Sequence, residues 1–256
     1  MDEFVTLARS LITIGLTLLL IMLRLDSEKF GTAEYYEATR DGEQPRVRRR
    51  LAWYALGFGL AIAMLYIHPS PQRDLYLGSG DRLAAVFGGL AYGLLGVLVA
   101  VSIASYRYHR IRFPDARSYP GALLNSTATA FIDEATFRGA LLGLLLLAGV
   151  NPTLANIAQA LIYVLTTRLG APGRDRYLLV LTFGMGLLGG WLTVATGGIA
   201  AAFIGHTITR FAVFLTTGHA GQTKPRGREV EEIEKRRRPP EGWRIIGSRE
   251  SASRDR

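Results

Sequence analysis

The stretch Asp133-Glu134-Ala135-Thr136-Phe137-Arg138-Gly139 places two acids and an arginine in a segment that is otherwise almost wholly apolar. Apolar residues dominate 122–132 before it and 140–148 after it. A long helix of that composition belongs in a lipid bilayer, where a central Asp or Arg costs about 2.5–3.5 kcal/mol. Three such charges so close together therefore predict a membrane helix whose polar side chains have buried partners or a chemical task.

Apolar runs alternate with short charged segments along the 256 residues, of which 49% are hydrophobic. Runs of this length predict an all-α fold, a polytopic membrane protein with seven transmembrane helices. The fourth run is long enough to break near Gly139, which would give eight. The predicted spans are Phe4–Leu23, Leu51–Ile67, Leu83–Ser105, Tyr119–Val150, Thr153–Thr167, Tyr177–Thr196 and Ile199–Thr217.

The basic residues are distributed unevenly between the predicted loops. Residues 24–50 carry seven Lys or Arg and the segment after 217 carries eleven, whereas 149–152 and 197–198 carry none. This bias predicts an N-terminus outside and a C-terminus in the cytoplasm. The net charge of +9 is then explained by loops that face anionic lipid headgroups, so no nucleic acid partner is expected. The first span lacks the basic start and cleavage site of a signal peptide, which favours a retained helix.

Three regions follow from this pattern. Residues 1–118 form three N-terminal spans with basic cytoplasmic loops, and 119–217 form a polar-containing core. Residues 218–256 form a basic and largely disordered cytoplasmic tail. The chain contains no cysteine, which excludes disulfides, thiolate metal ligands and a cysteine nucleophile.

The two acids of the central stretch face different directions on a helix. Glu134 and Arg138 stand four residues apart in the order that favours an ion pair. Asp133 lies about 100° further round and continues a polar stripe from Thr129 and Ser126. The spacing therefore predicts that Glu134 is paired locally, whereas Asp133 is left to find a partner on another helix.

Further polar residues occur on two later spans. His206 and Arg210 stand one turn apart on the seventh, and a bundle that aimed them at Asp133 would satisfy the buried charges and hold water. The fifth span carries a stripe that includes Asn156 and Gln159. Each has a purely structural alternative, since buried ion pairs fix helix register and intramembrane amides bond other helices.

These residues resemble motifs of the CPBP family, which includes CAAX prenyl proteases and bacteriocin-processing proteins. Asp133-Glu134-x-x-x-Arg138 is similar to the first family motif, Glu-Glu-x-x-x-Arg. The run Thr196-Gly197-Gly198-Ile199 leads to His206 as the family's closing helices do, and the resemblance covers about 119–217. It implies an intramembrane endopeptidase with a glutamate-type mechanism and a membrane-tethered peptide or protein as substrate.

Carried over by motif, the resemblance makes Asp133 the carboxylate that activates water, with Glu134 and Arg138 as its support and His206 as an oxyanion donor. Three positions depart from the family pattern. Asp133 replaces a glutamate. Thr167 stands where the second motif has histidine, and Arg210 stands where the third has Asn or Asp.

The departures leave two hypotheses for the function. The first is an intramembrane endopeptidase whose water-filled cavity joins the two acids to His206. The second is a catalytically silent adaptor or regulator on the same scaffold, with Arg210 closing the site on Asp133. No cofactor is expected, and two carboxylates with one histidine make a poor zinc site. A proton-coupled transporter has less support, because the chain shows no paired repeats.

Overall fold

Long helices make up most of the computed structural model, which describes residues 2–27, 29–30, 44–108, 112–114, 120–170, 176–217 and 243–245. In chain order the elements are α1 (Asp2–Leu25), α2 (Gln44–Ile67), α3 (Pro71–Asp74), α4 (Arg82–Tyr108), β1 (Arg112–Pro114), α5 (Pro120–Asp133), a π-helix (Glu134–Leu141), α6 (Leu142–Leu147), α7 (Pro152–Gly170), α8 (Arg176–Thr196), α9 (Ala200–Thr217) and β2 (Trp243–Ile245).

A helix lies at each of the seven predicted spans, which confirms the helical fold class. Within the described residues, four helices are long and apolar enough to cross a membrane: Phe4–Leu25, Arg48–Ile67, Arg82–Tyr106 and Arg176–Thr196. Their outer faces carry many exposed large apolar side chains, as expected where lipid is the solvent. The chain is therefore an integral membrane protein, while the number of crossings and the side of each terminus stay predictions.

The fourth predicted span does not break into two helices. It runs without interruption from Pro120 to Leu147, and its middle third adopts π geometry from Glu134 to Leu141. A π segment widens the helix by one residue per hydrogen-bonded turn and is often found at functional sites. Here it contains Glu134 and Arg138 and begins directly after Asp133.

The connection between α3 and α4 packs closely against this helix at two glycines. A Cβ at Gly139 would lie 2.6 Å from Leu77 Cδ2, and one at Gly143 would lie 2.7 Å from Leu75 Cα. The connection is held in place by its own backbone, because Leu77 N–H donates to the Pro71 carbonyl at 3.1 Å. Any side chain at these glycines would push the connection away from the helix that carries the acids.

Helix α9 is brought against α4 by glycines in α4. A Cβ at Gly89 would lie 2.8 Å from Ile204 Cβ, and one at Gly93 would lie 2.7 Å from Ile208 Cδ1. Small residues allow such close approach between membrane helices, where packing replaces the hydrophobic effect as the source of attraction. The contact places His206, which lies between these two isoleucines in sequence, on the opposite side of α9 toward the centre of the bundle.

A short antiparallel pair adds a minor β component to the helical fold. Strands β1 and β2 pair Phe113 with Arg244. Most of the tail predicted to be disordered lies outside the described residues, but Trp243–Ile245 is ordered as β2. The pairing gives backbone N–H and C=O groups of both segments a partner, which the sequence of the tail did not indicate.

Candidate active site

Two carboxylates and an arginine are fully buried at the junction of α5 with the π-helix. Asp133, Glu134 and Arg138 each have 0% exposure. Charged side chains survive such burial only when opposite charges and hydrogen bonds replace water. The contacts of each acid therefore define what this region of the bundle can do.

Glu134 contacts one residue of its own helix and one of α9. Its Oε2 lies 3.3 Å from Arg138 Nε, which confirms the predicted local ion pair. Its Oε1 lies 2.6 Å from Nδ1 of His206, a short contact between a carboxylate and an imidazole. In the tautomer that carries hydrogen on Nδ1, the ring donates to Glu134, and its other nitrogen, Nε2, is an acceptor that has the Tyr163 hydroxyl 3.2 Å away.

Asp133 is held between two arginines from distant parts of the chain. Arg24 Nε, in the last turn of α1, lies 3.1 Å from Asp133 Oδ1. Arg210 Nη1 lies 3.8 Å from Oδ2, so the predicted contact between Arg210 and Asp133 is present but longer than that of Arg24. The expectation that Asp133 needs a partner on another helix is confirmed, and Arg24 is the nearer one.

Tyr163 links the two acids through His206. Its hydroxyl lies 3.2 Å from Asp133 Oδ2, to which it donates, and 3.2 Å from His206 Nε2. The Arg138 guanidinium carbon lies 4.2 Å from the centre of the Tyr163 ring, a cation–π contact that fixes the ring. Glu134, His206, Tyr163 and Asp133 thus lie in contact one after another as a polar chain, in which the single Tyr163 hydroxyl hydrogen is donated to Asp133 or to His206 Nε2 but not to both.

Thr167, the residue at the expected histidine position, stays outside this chain. It is buried one turn beyond Tyr163, and within the described part of α7 and its neighbours its hydroxyl has no hydrogen-bond partner. The other polar residues of α7 have structural contacts instead. Asn156 Nδ2 donates to the Leu187 carbonyl at 3.0 Å and Gln159 Nε2 to the Gly186 carbonyl at 3.0 Å, which ties α7 to α8.

A cavity of about 40 Å³ opens beside the polar chain. His206, Tyr163 and Arg210 contribute to its wall, together with Arg138 and Asn125. This volume holds a water molecule, which needs about 10–15 Å³ of such space and two or more polar partners. A cavity is therefore present at His206 and Arg210, but it does not join His206 to the two acids as predicted, because neither Asp133 nor Glu134 is a lining residue.

The donors of Arg210 are only partly used. Its side chain is 9% exposed, and its Nε and Nη1 have no hydrogen-bond partner in the described structure apart from the long ionic contact with Asp133. Arg210 is also a lining residue of the cavity, so its positive charge lies close to any negative charge that forms there. Among the described residues, no group of three or more His, Asp or Glu is arranged to hold a metal ion.

Two contributors to the site were not predicted as such from the sequence. Arg24 was counted among the basic residues that begin the first loop, where an arginine typically contacts headgroups. Tyr163 lies on the polar stripe predicted for the fifth span, one turn beyond Gln159, but the sequence did not assign it to the site. Its place four residues before Thr167 was the available signal, since that spacing puts both on one face of α7.

Comparison with known proteins supports the family resemblance. Residues 116–212 match the family model described as "Rce1-like: Type II CAAX prenyl endopeptidase Rce1-like". The match includes every residue of the polar chain but not α1, α2 or α4. Neither curated proteins nor solved structures yield a match to the chain.

Proposed function

From the premise that residues 116–212 are a CAAX-protease-like core, we propose that this protein is an intramembrane endopeptidase. It hydrolyses a peptide bond of a membrane-tethered peptide or protein in the cavity lined by His206. The observation that carries the proposal is the 2.6 Å contact between Glu134 Oε1 and Nδ1 of His206, a histidine that also lines the cavity. A carboxylate on one imidazole nitrogen fixes the orientation and tautomer of the ring and stabilises the imidazolium when it forms.

The contacts suggest a division of labour for hydrolysis. A water in the cavity donates a hydrogen bond to His206 Nε2, which takes its proton as the oxygen attacks the peptide carbonyl. Glu134 stabilises the imidazolium that forms, and Arg138 holds Glu134 in position. Arg210 donates to the carbonyl oxygen as it becomes negative, and His206 then passes the proton to the departing amine.

This division differs from the one that the family resemblance implies. There Asp133 activates the water and His206 stabilises the oxyanion. Asp133 is instead flanked by Arg24 at 3.1 Å and Arg210 at 3.8 Å. Both carboxylate oxygens of Asp133 thus lie near a cation, and its position behind the cavity wall separates it from water. We therefore assign Asp133 to positioning Tyr163, whose hydroxyl donates to it at 3.2 Å.

The substrate proposed is a lipid-anchored peptide, in keeping with the prenyl endopeptidase description of the matched family. A cavity of about 40 Å³ admits water but not a peptide, so a substrate enters only when helices around it separate. We expect the basic loops to contact anionic headgroups of the bilayer. Cleavage requires no metal, cofactor or nucleic acid in this scheme.

A catalytically silent scaffold is the second candidate, and the ion pairs of Asp133 favour it. Arginine at 210 contacts the acid that the family motif uses for water activation, and Thr167 supplies no proton acceptor of histidine's kind. In that case the charges only fix the register of α1, α5 and α9.

The decisive measurement is peptide cleavage by the purified full chain in proteoliposomes. Internally quenched peptides with a lipid anchor, including a prenylated one, provide the readout. His206→Gln should lower kcat/KM by about 10²–10⁴ because it removes the general base. His68→Gln is the matched control, since both histidines are 7% exposed and His68 lies in the connection after α2.

Each outcome separates the hypotheses. Wild-type protein that cleaves none of the peptides supports the silent scaffold. An active wild type whose His206→Gln variant keeps its rate rules out the proposed base. If Asp133→Asn abolishes cleavage and His206→Gln lowers it only tenfold, Asp133 activates the water as the family resemblance implies.

A further inference from the structure

Arg24 lies outside the segment that matches the family model, yet it makes the closest ionic contact to the site. It is 4% exposed and its Nε is 3.1 Å from Asp133 Oδ1. An arginine at the end of a membrane helix ordinarily extends toward lipid headgroups and water. Here the side chain turns inward instead and gives up that solvation for contact with one acid.

The end of α1 is fixed in place by contacts with two other helices. Trp53 Nε1 in α2 donates to the Leu23 carbonyl at 2.8 Å. The Ser27 hydroxyl donates to the carbonyl of Gly170, the last residue of α7, at 3.2 Å. Gly170 packs so closely that a Cβ there would contact the backbone carbonyl of Arg24 and lie 3.0 Å from that of Leu25. These contacts fix the backbone at the end of α1 in the position from which the Arg24 guanidinium reaches Asp133.

The charges around the two acids explain why a third arginine matters. Arg138 serves Glu134, which leaves Asp133 to Arg24 and Arg210. Arg24 is the nearer of the two at 3.1 Å, whereas Arg210, a lining residue of the cavity, lies 3.8 Å from Asp133, and its buried Nε and Nη1 have no hydrogen-bond partner in the described structure. Without Arg24, the full charge of Asp133 would draw Arg210 onto itself and away from the cavity.

We propose that Arg24 is a positioning residue of the site: it neutralises Asp133 from α1 and so keeps Arg210 free to bind the oxyanion. The inference rests on the proposed function and adds to it that the N-terminal helix belongs to the catalytic unit. In the 116–212 segment without α1, Asp133 would pair with Arg210, and Arg210 would not be available to the oxyanion.

The test compares Arg24→Gln, Arg24→Lys and the double variant Arg24→Gln/Asp133→Asn in the full chain. Arg9→Gln, an exposed arginine on the same helix, is the matched control. Arg24→Gln should lower kcat by about tenfold to 100-fold with KM changed less than threefold, somewhat below the cost of deleting an oxyanion donor outright. Arg24→Lys should recover part of the rate, because it restores the charge but not the planar geometry.

The double variant distinguishes positioning from a general loss of structure. Removing the charge of Asp133 releases Arg210, so kcat should rise at least about fivefold above that of Arg24→Gln, a partial rescue expected of directly coupled residues. A docking defect of α1 would not be repaired by a change in α5. A double variant no faster than Arg24→Gln overturns the proposal, as does an Arg24→Gln variant with wild-type kcat.

Thermal unfolding of the same variants in detergent separates this inference from the proposed function. The melting temperature of the double variant should exceed that of Arg24→Gln, because the double variant removes a buried acid that has lost the nearer of its two arginines. If the wild type cleaves nothing, the proposed function and the positioning role both fail. The melting temperatures of the variants still decide whether Arg24 and Asp133 are paired. If the wild type is active and Arg24→Gln is equally active, only the present inference fails.

Discussion

Replacing Glu134 by glutamine removes one charge from the centre of the polar chain with little change of shape. An amide has one accepting oxygen and one donating NH2, whereas the carboxylate accepts on both sides. If the oxygen of the new amide faces His206, its NH2 takes the place of Glu134 Oε2, which lies 3.3 Å from Arg138 Nε, and two donors then face each other. If the NH2 faces His206 instead, Nδ1 must accept and the hydrogen moves to Nε2.

Either orientation impairs the proposed chemistry. The first leaves His206 without a negative partner, and the second removes the lone pair that would take a proton from water. We expect kcat for the lipid-anchored peptide to fall by about 10²–10⁴, the usual contribution of a general base. Because fully buried Arg138 loses its acid, the free energy of unfolding should also fall by about 3–5 kcal/mol. For a chain of this size that lowers the melting temperature by about 6–20 °C.

The two effects are measured on one preparation, by peptide cleavage in proteoliposomes and by thermal unfolding in detergent. His206→Gln is the comparison, since it removes the base but leaves Glu134 paired with Arg138. It should match Glu134→Gln in lost activity and lose much less stability. A Glu134→Gln variant that keeps both the wild-type rate and the wild-type melting temperature would falsify the assignment of Glu134 as the partner of both residues.

Two further predictions test other contacts of the site. Tyr163→Phe removes the hydroxyl that lies between Asp133 and His206. Because a buried hydrogen bond to a carboxylate contributes about 1–3 kcal/mol, kcat should fall by about tenfold to 100-fold. Unchanged kinetics would show that the polar chain is not used. Gly143→Ala should lower the free energy of unfolding by about 1–3 kcal/mol, because its Cβ would lie 2.7 Å from the α carbon of Leu75. Gly184→Ala, which has open space around it, is the matched control in denaturation measurements and should change stability little.

The membrane helices and one ion pair were readable from local sequence. Continuous apolar runs can only be helices in lipid, because every backbone polar group must be satisfied within the segment. The Glu134–Arg138 pair follows from spacing along one helix and is present at 3.3 Å. The spacing of His206 and Arg210 likewise placed both at one cavity, as the structure has them.

Which acid meets His206 could not be obtained in the same way. The 100° step between Asp133 and Glu134 assumes α-helical geometry, and the helix becomes π at Glu134. The connection between α3 and α4 packs against Gly139 and Gly143 within and just after the π segment. No local propensity in this stretch indicates the change to π geometry. As a result Glu134 contacts His206, whereas the resemblance had given Asp133 the role at the reacting water.

The sequence by itself determined that this is a helical membrane protein with a charged core, because hydrophobic length and charge spacing act over a few neighbouring residues. The tertiary structure alone decided the partners of those charges. Arg24 and Asp133 are more than one hundred residues apart, and an arginine at the end of a span has the same sequence signature whether it reaches lipid headgroups or a buried acid. Only the docking of α1 on α2 and α7 selects between those two environments.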